Sequence, residues 1–169
     1  MRLIHKGQKG FTLIELVIVI GLTGIITAGI TLTIFQVFNM DTRTRNDMIA
    51  VYQVRQADKL VSEDVLEAQC VNVPVSSDFP LTLNWTDPAT GNKHGVIYTL
   101  ANKILWREHY VGSTLNSTTK VAEYISQTSI TPAQTECVPN VSALTCTVTA
   151  TVGEQSETRV YQVNPRTGS

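Results

Sequence analysis

Between Glu15 and Asp41 no formally charged side chain occurs, and residues 16 to 38 form one predominantly apolar run. The hydrocarbon core of a bilayer is about 30 Å thick, and a helix crosses it with about 20 such residues. The run is therefore long enough to span. Arg2, His5, Lys6 and Lys9 precede it, and basic residues beside a first span stay on the cytoplasmic side. These features predict a single-pass protein of the cytoplasmic (inner) membrane, N-terminus inside, with the bulk of the chain outside. A secretory signal carries its apolar region ahead of the cut and loses it.

Directly before the run stands Lys9-Gly10-Phe11-Thr12-Leu13-Ile14-Glu15. This segment resembles the class III signal of type IV prepilins and pseudopilins: a short basic leader ending in Gly10, a mature Phe11, and Glu15 four residues on. The resemblance implies cleavage between Gly10 and Phe11 by a prepilin peptidase and N-methylation of Phe11. The apolar segment then follows the cut and is retained as an anchor. The implied layout is a leader at 1–10, a transmembrane and N-terminal pilin helix at 11–40, and an extracytoplasmic pilin-like domain at 41–169.

An ionised group inside a spanning helix costs several kcal/mol unless it is paired or snorkels to the interface, so an intramembrane acid is a functional candidate. Glu15 lies about one helical turn from Phe11. The amine freed at Phe11, of the same chain or of a neighbour in a parallel array, is a cation it can meet. That contact would set assembly register, while the plainer alternative is a carboxylate that only snorkels. Gly21, Gly24, Ala28 and Gly29, with Thr23, Thr27, Thr31 and Thr33 interleaved, make a surface suited to close helix packing in lipid. Leu32 stands where the major subunits of the family usually carry proline, which points to a minor subunit.

From Asp41 to Gln69 the helical pattern continues, with Ala50, Val54, Ala57, Val61, Val65 and Ala68 recurring at steps of three or four. The period then changes to two. Phe79, Leu81, Leu83 and Trp85 alternate with polar residues, as in a half-buried strand, and Asp87 to Asn92 reads as a turn. Strands are expected at Gly95 to Leu100, Ile104 to Tyr110, Leu144 to Val152 and Thr158 to Val163. Val111 to Lys120 reads as a polar loop, and Val121 to Ser126 fits either a short strand or a helical turn. The predicted fold is α+β and pilin-like: one long N-terminal helix, transmembrane in its first half and amphipathic in its second, packed on an antiparallel sheet. Tyr98-Thr99-Leu100, Ile104 to Glu108, Val121 to Ile125 and Asn164-Pro165-Arg166 also bear a loose resemblance to minor pseudopilins of the J type and related minor pilins.

The formal charge is −1. Loss of Arg2, Lys6 and Lys9 leaves 10 basic residues of the 13 against 14 acidic, so the mature chain carries −4. No basic face suggests nucleic-acid binding. Cys70, Cys137 and Cys146 fall outside the membrane, where an oxidising compartment permits disulfides. A small loop closed by Cys137 and Cys146 is the first expectation. Pairing of Cys70 with either, or reduced thiols, are the alternatives. There is no Cys-x-x-Cys pair and no histidine at ligand spacing, so neither metal nor cofactor is expected. His94 and His109 read as packing or surface residues. No nucleophile elbow, phosphate loop or His-Glu-x-x-His occurs, and no enzyme is expected.

The expected function is structural. The chain would be a minor pilin or pseudopilin of a type IV pilus, type II secretion pseudopilus or related competence filament, held in membrane lipid before extraction. Implied partners are prepilin peptidase, other pilin or pseudopilin subunits, and the inner-membrane assembly platform with its ATPase. The alternative is an adhesion, ligand or DNA-uptake recognition module on the same anchor, with recognition in the Val111 to Lys120 loop.

Overall fold

The computed structural model describes residues 10–74, 78–131 and 143–165. Its elements run α1 (Leu13–Glu67), β1 (Cys70–Asn72), β2 (Leu81–Thr86), β3 (Lys93–Ala101), β4 (Ile104–Val111), β5 (Thr114–Ala122), β6 (Ile125–Thr131), β7 (Leu144–Val152) and β8 (Gln155–Val163). The chain divides into two compact units at Thr42/Arg43.

The first unit holds the apolar part of α1. That helix is long and apolar enough to cross a membrane. Its apolar side chains are exposed within that unit: Ile25 is 73 % exposed and Leu32 66 %. The hydroxyls of Thr23, Thr27, Thr31 and Thr33 donate back to the carbonyls of Val19, Thr23, Thr27 and Gly29 at 2.6, 2.8, 2.9 and 2.9 Å. Back-bonding satisfies each hydroxyl within its own helix, so no partner or water is needed to carry it into lipid.

The second unit has an α+β core. Ala50, Val54, Ala57, Val61, Val65 and Ala68, the stripe that periodicity predicts, are buried to 3 % exposure or less. Two antiparallel sheets share that core with the helix, one of five strands in the order β1-β2-β3-β4-β5 and one of three in the order β6-β7-β8. Leu81 and Leu83, Val96 and Tyr98, and Leu105 are among the first sheet's buried residues; Ile125, Leu144, Cys146, Val148 and Ala150 are among the second's. Each fully buried aliphatic side chain contributes about 1.5–3 kcal/mol. No glycine ends α1; Gln69 is instead captured by β2, its N–H donating to the Asn84 carbonyl at 3.0 Å and its side-chain oxygen accepting from the Thr86 N–H at 3.2 Å.

Three hairpins turn on two residues each, as the pairs Ala101↔Ile104, Val111↔Thr114 and Val152↔Gln155 show. Such tight turns place residues at positive φ, here Asn102 and Lys103 at 52° and 63° and Gly153 at 59°.

Two expectations are corrected. The single sheet is two sheets. Val111 to Lys120 is not a loop: Val111 closes β4 and Thr114 to Lys120 lie in β5, which pairs along β4 with bulges at Leu105/Trp106 and His109/Tyr110. β5 is an edge strand, mostly exposed, and pairing through its backbone needs no apolar alternation. Val121 and Ala122 complete β5 and are buried, while Ile125 opens β6.

Candidate functional site

At its N-terminal end α1 begins with a capping box. Thr12 precedes the helix, and Glu15 stands three residues on. The Glu15 Oε2 accepts from the Thr12 backbone N–H at 2.9 Å and from the Thr12 hydroxyl at 2.8 Å. Reciprocally, the Thr12 hydroxyl oxygen accepts from the Glu15 N–H at 3.4 Å. Two backbone donors that a helix start leaves open are thus satisfied by one Thr-x-x-Glu pair. The Oε1 atom has no partner among the described residues. Gly10 and Phe11 lie outside the helix, exposed, with Phe11 at 87 %. Sequence reasoning singled out Glu15 as a charge in lipid; its part in helix initiation is an added role, and its signal was the Thr12-to-Glu15 spacing.

Gly24 and Ala28 share a shallow groove on α1 with Val19, Ile20, Thr23, Thr27, Thr31 and Leu32. A Cβ added at Gly21, Gly24 or Gly29 would meet no atom within 4 Å. Among the described residues nothing fills the space beside these positions.

Among the cysteines, Cys70 is disulfide-bonded. The expected Cys137–Cys146 bridge is corrected at its Cys146 end: that thiol is free and buried. The side chain projects from β7 into the core, and burial pushes the thiol up to about 12, opposed by a hydrogen bond with Tyr161. Cys137 lies outside the described residues.

The second unit contains a polar constellation that sequence reasoning missed. Asp64 is 7 % exposed and receives a bidentate pair from Arg107, Nε to Oδ2 at 2.6 Å and Nη2 to Oδ1 at 2.8 Å. The Tyr98 hydroxyl also donates to Oδ2. Burial raises the Tyr98 phenol above its usual range, and the hydrogen bonds to Asp64 hold the Arg107 guanidinium still more firmly protonated. The network fastens the last turns of α1 to β3 and β4. Its signal was an acid on the apolar stripe, three residues after Val61 and four before Ala68. At the other end of the helical segment, Gln53 Oε1 accepts from the Glu123 N–H at 2.7 Å.

His94 and His109, which the sequence left apart, are brought together on β3 and β4 with 3.1 Å between ring nitrogens. Burial lowers the His109 imidazole below its ordinary value.

No curated protein and no solved structure matches the chain at significance. Residues 5–31 match the model of the prokaryotic N-terminal methylation motif. That span contains Gly10, Phe11, the Thr12–Glu15 capping box and the first half of the uncovered apolar helix. The chain therefore carries, at residues 5–31, the class III signal of type IV prepilins.

Proposed function

We propose that this chain is a minor pilin or pseudopilin, a structural subunit of a type IV pilus or type II secretion pseudopilus-type filament. Prepilin peptidase cuts between Gly10 and Phe11 and methylates the new amine. Other subunits pack against α1 after a membrane platform and its ATPase extract the chain from lipid. The observation that carries the reading is the conjunction of the methylation motif with a helix long and apolar enough to cross a membrane, whose apolar side chains are exposed among the described residues. Gly21, Gly24 and Gly29 leave room for close neighbours, and van der Waals packing is what holds helices together out of water. With Glu15 Oε2 committed to Thr12, the Oε1 atom remains for the Phe11 amine of the next subunit. The minor role is favoured by Leu32 in place of a helix-kinking proline.

Two sets of variants test this. Gly10→Ala or a bulkier residue should block maturation, seen as an unshifted band on electrophoresis. Normal processing would remove the assignment. Glu15→Val deletes both cap and charge, whereas Glu15→Gln keeps a side-chain acceptor for Thr12 and deletes only the charge. Both should be cleaved yet fail to enter filaments. Incorporation of the Gln variant at the wild-type level would reduce Glu15 to a helix cap.

A further inference from the structure

Little apolar burial holds β5 to its sheet: Thr114 to Lys120 are exposed apart from Ser117, which is half-buried. Strands of that kind belong to the part of a fold that opens most easily. The ladder to β4 is also interrupted. His109 pairs with Ser117 and Tyr110 with Leu115, which leaves Asn116 as the extra residue of a bulge. A bulge re-aims the side chain it carries, and the Asn116 amide nitrogen lies 3.4 Å from His109 Nδ1. On the far side of the ring, His109 Nε2 lies 3.1 Å from His94 Nδ1 on β3. Trp85, opposite His94 on β2, stacks on both imidazoles with centroids 5.4 and 6.1 Å away. One line of side chains thus crosses four strands.

An amide nitrogen only donates. His109 Nδ1 is therefore the accepting nitrogen, the ring proton sits on Nε2, and that N–H donates to His94 Nδ1. The His94 proton is then on its own Nε2, and both rings are neutral. Each basic nitrogen of the chain is already an acceptor. A proton added at His109 Nδ1 faces the Asn116 N–H, so the amide must turn over to present its oxygen. With a second proton at His94 Nδ1, N–H faces N–H across 3.1 Å and the rings must part.

The two half-buried rings line a cleft of about 470 Å³ through which protons reach them. The charged groups around it are Asp64 and Glu67 on α1, Asp87 in the turn after β2, and Arg107 on β4. Leu115 to Thr119 on β5 are uncharged, and Lys93 and Glu108 alternate to the other face of the sheet. Burial first, then Arg107 and His94, hold the His109 imidazole below its ordinary value, and Asp64 and Glu67 oppose this without cancelling it. A histidine kept neutral in the fold stabilises it fully above about 6.5. That contribution is lost as pH falls from there toward the lower folded value.

We propose that Asn116, His109 and His94 form a proton-operated latch, which fastens the bulged end of β5 to the sheet at neutral pH and releases it in acid. The test is hydrogen exchange of the full chain in detergent, followed by mass spectrometry and corrected for the intrinsic exchange rate at each pH. Between about pH 7.5 and about pH 5.5, protection of Thr114–Ala122 should fall about tenfold relative to β7, since one proton of differential uptake shifts an equilibrium tenfold per pH unit. Asn116→Ala should leave β5 poorly protected at neutral pH, with no further loss in acid. Asn116→Asp supplies an acceptor for a protonated His109 and should keep β5 protected at the acid value. His109→Gln should abolish the acid step; should it fail to fold, the two Asn116 variants on the exposed strand carry the comparison. Unchanged β5 protection in the wild type, a fall shared equally by β7, or an acid fall that persists in Asn116→Asp overturns the proposal.

Discussion

Replacing Asp64 with alanine should destabilise the second unit by about 3 kcal/mol, more than any single neutral hydrogen bond supplies. The side chains of Arg107 and Asp64 are only 18 % and 10 % exposed, so the substitution strands a cation and the Tyr98 phenol away from most water. Removing one partner of a buried pair costs about 3–5 kcal/mol, against about 0.5–1.5 for an ordinary hydrogen bond. The residual solvent access of Arg107 places the effect at the lower end. For a domain of this size that corresponds to a fall in Tm of about 10–15 °C. Tyr98→Phe, which leaves the ion pair intact, should cost about 1 kcal/mol. Asp64→Ala combined with Arg107→Met should recover much of the loss, because no charge is then left buried alone. Urea unfolding of the detergent-solubilised full chain, followed by tryptophan fluorescence, measures all four proteins. An Asp64→Ala variant within about 1 kcal/mol of wild type would refute the reasoning, as would a double variant no more stable than Asp64→Ala alone.

Gly153 turns β7 into β8 at φ 59°, and a Cβ there would lie 2.8 Å from the Asn46 amide nitrogen. Gly153→Ala should therefore lower stability by about 1–3 kcal/mol, read as a lower Tm; an unchanged Tm would contradict the strain. Cys146 is buried with its thiol pushed up to about 12, and the thiolate is the reactive form. Iodoacetamide at neutral pH should leave it unlabelled in the native chain and modify it in denaturant, as peptide mass mapping would show. Prompt native labelling would place the thiol outside the core.

Legibility followed burial. The stripe from Ala50 to Ala68 could be read because one face of α1 is covered and the other is not, which imposes a period of 3.6 on the residues. β2 and β7 could be read for the same reason at period two. β5 could not, because an edge strand exposed along most of its length has no buried face to mark it. β1 is three residues long, too short to show a period. The Asp64 network hid because a charged residue on an apolar stripe declares its partner only when distant strands are docked. His94 and His109 hid because their meeting depends on hairpin register: once the turn is fixed at Asn102 and Lys103, positions 96 and 109 must pair. The cysteine expectation weighed sequence proximity, whereas Cys146 follows the inward alternation of β7 with Leu144 and Val148. At the N-terminus the chemistry is local, and the Gly10 to Glu15 motif could be read without any tertiary information.

The central claim is that the apolar helix is unmasked by proteolysis at its cytoplasmic end. Intact-mass spectrometry of the protein extracted from membranes of cells with an active prepilin peptidase tests it most directly. The expected product begins at Phe11 and carries one methyl group on its amine. Recovery of an unmodified chain still bearing residues 1–10 would contradict the account.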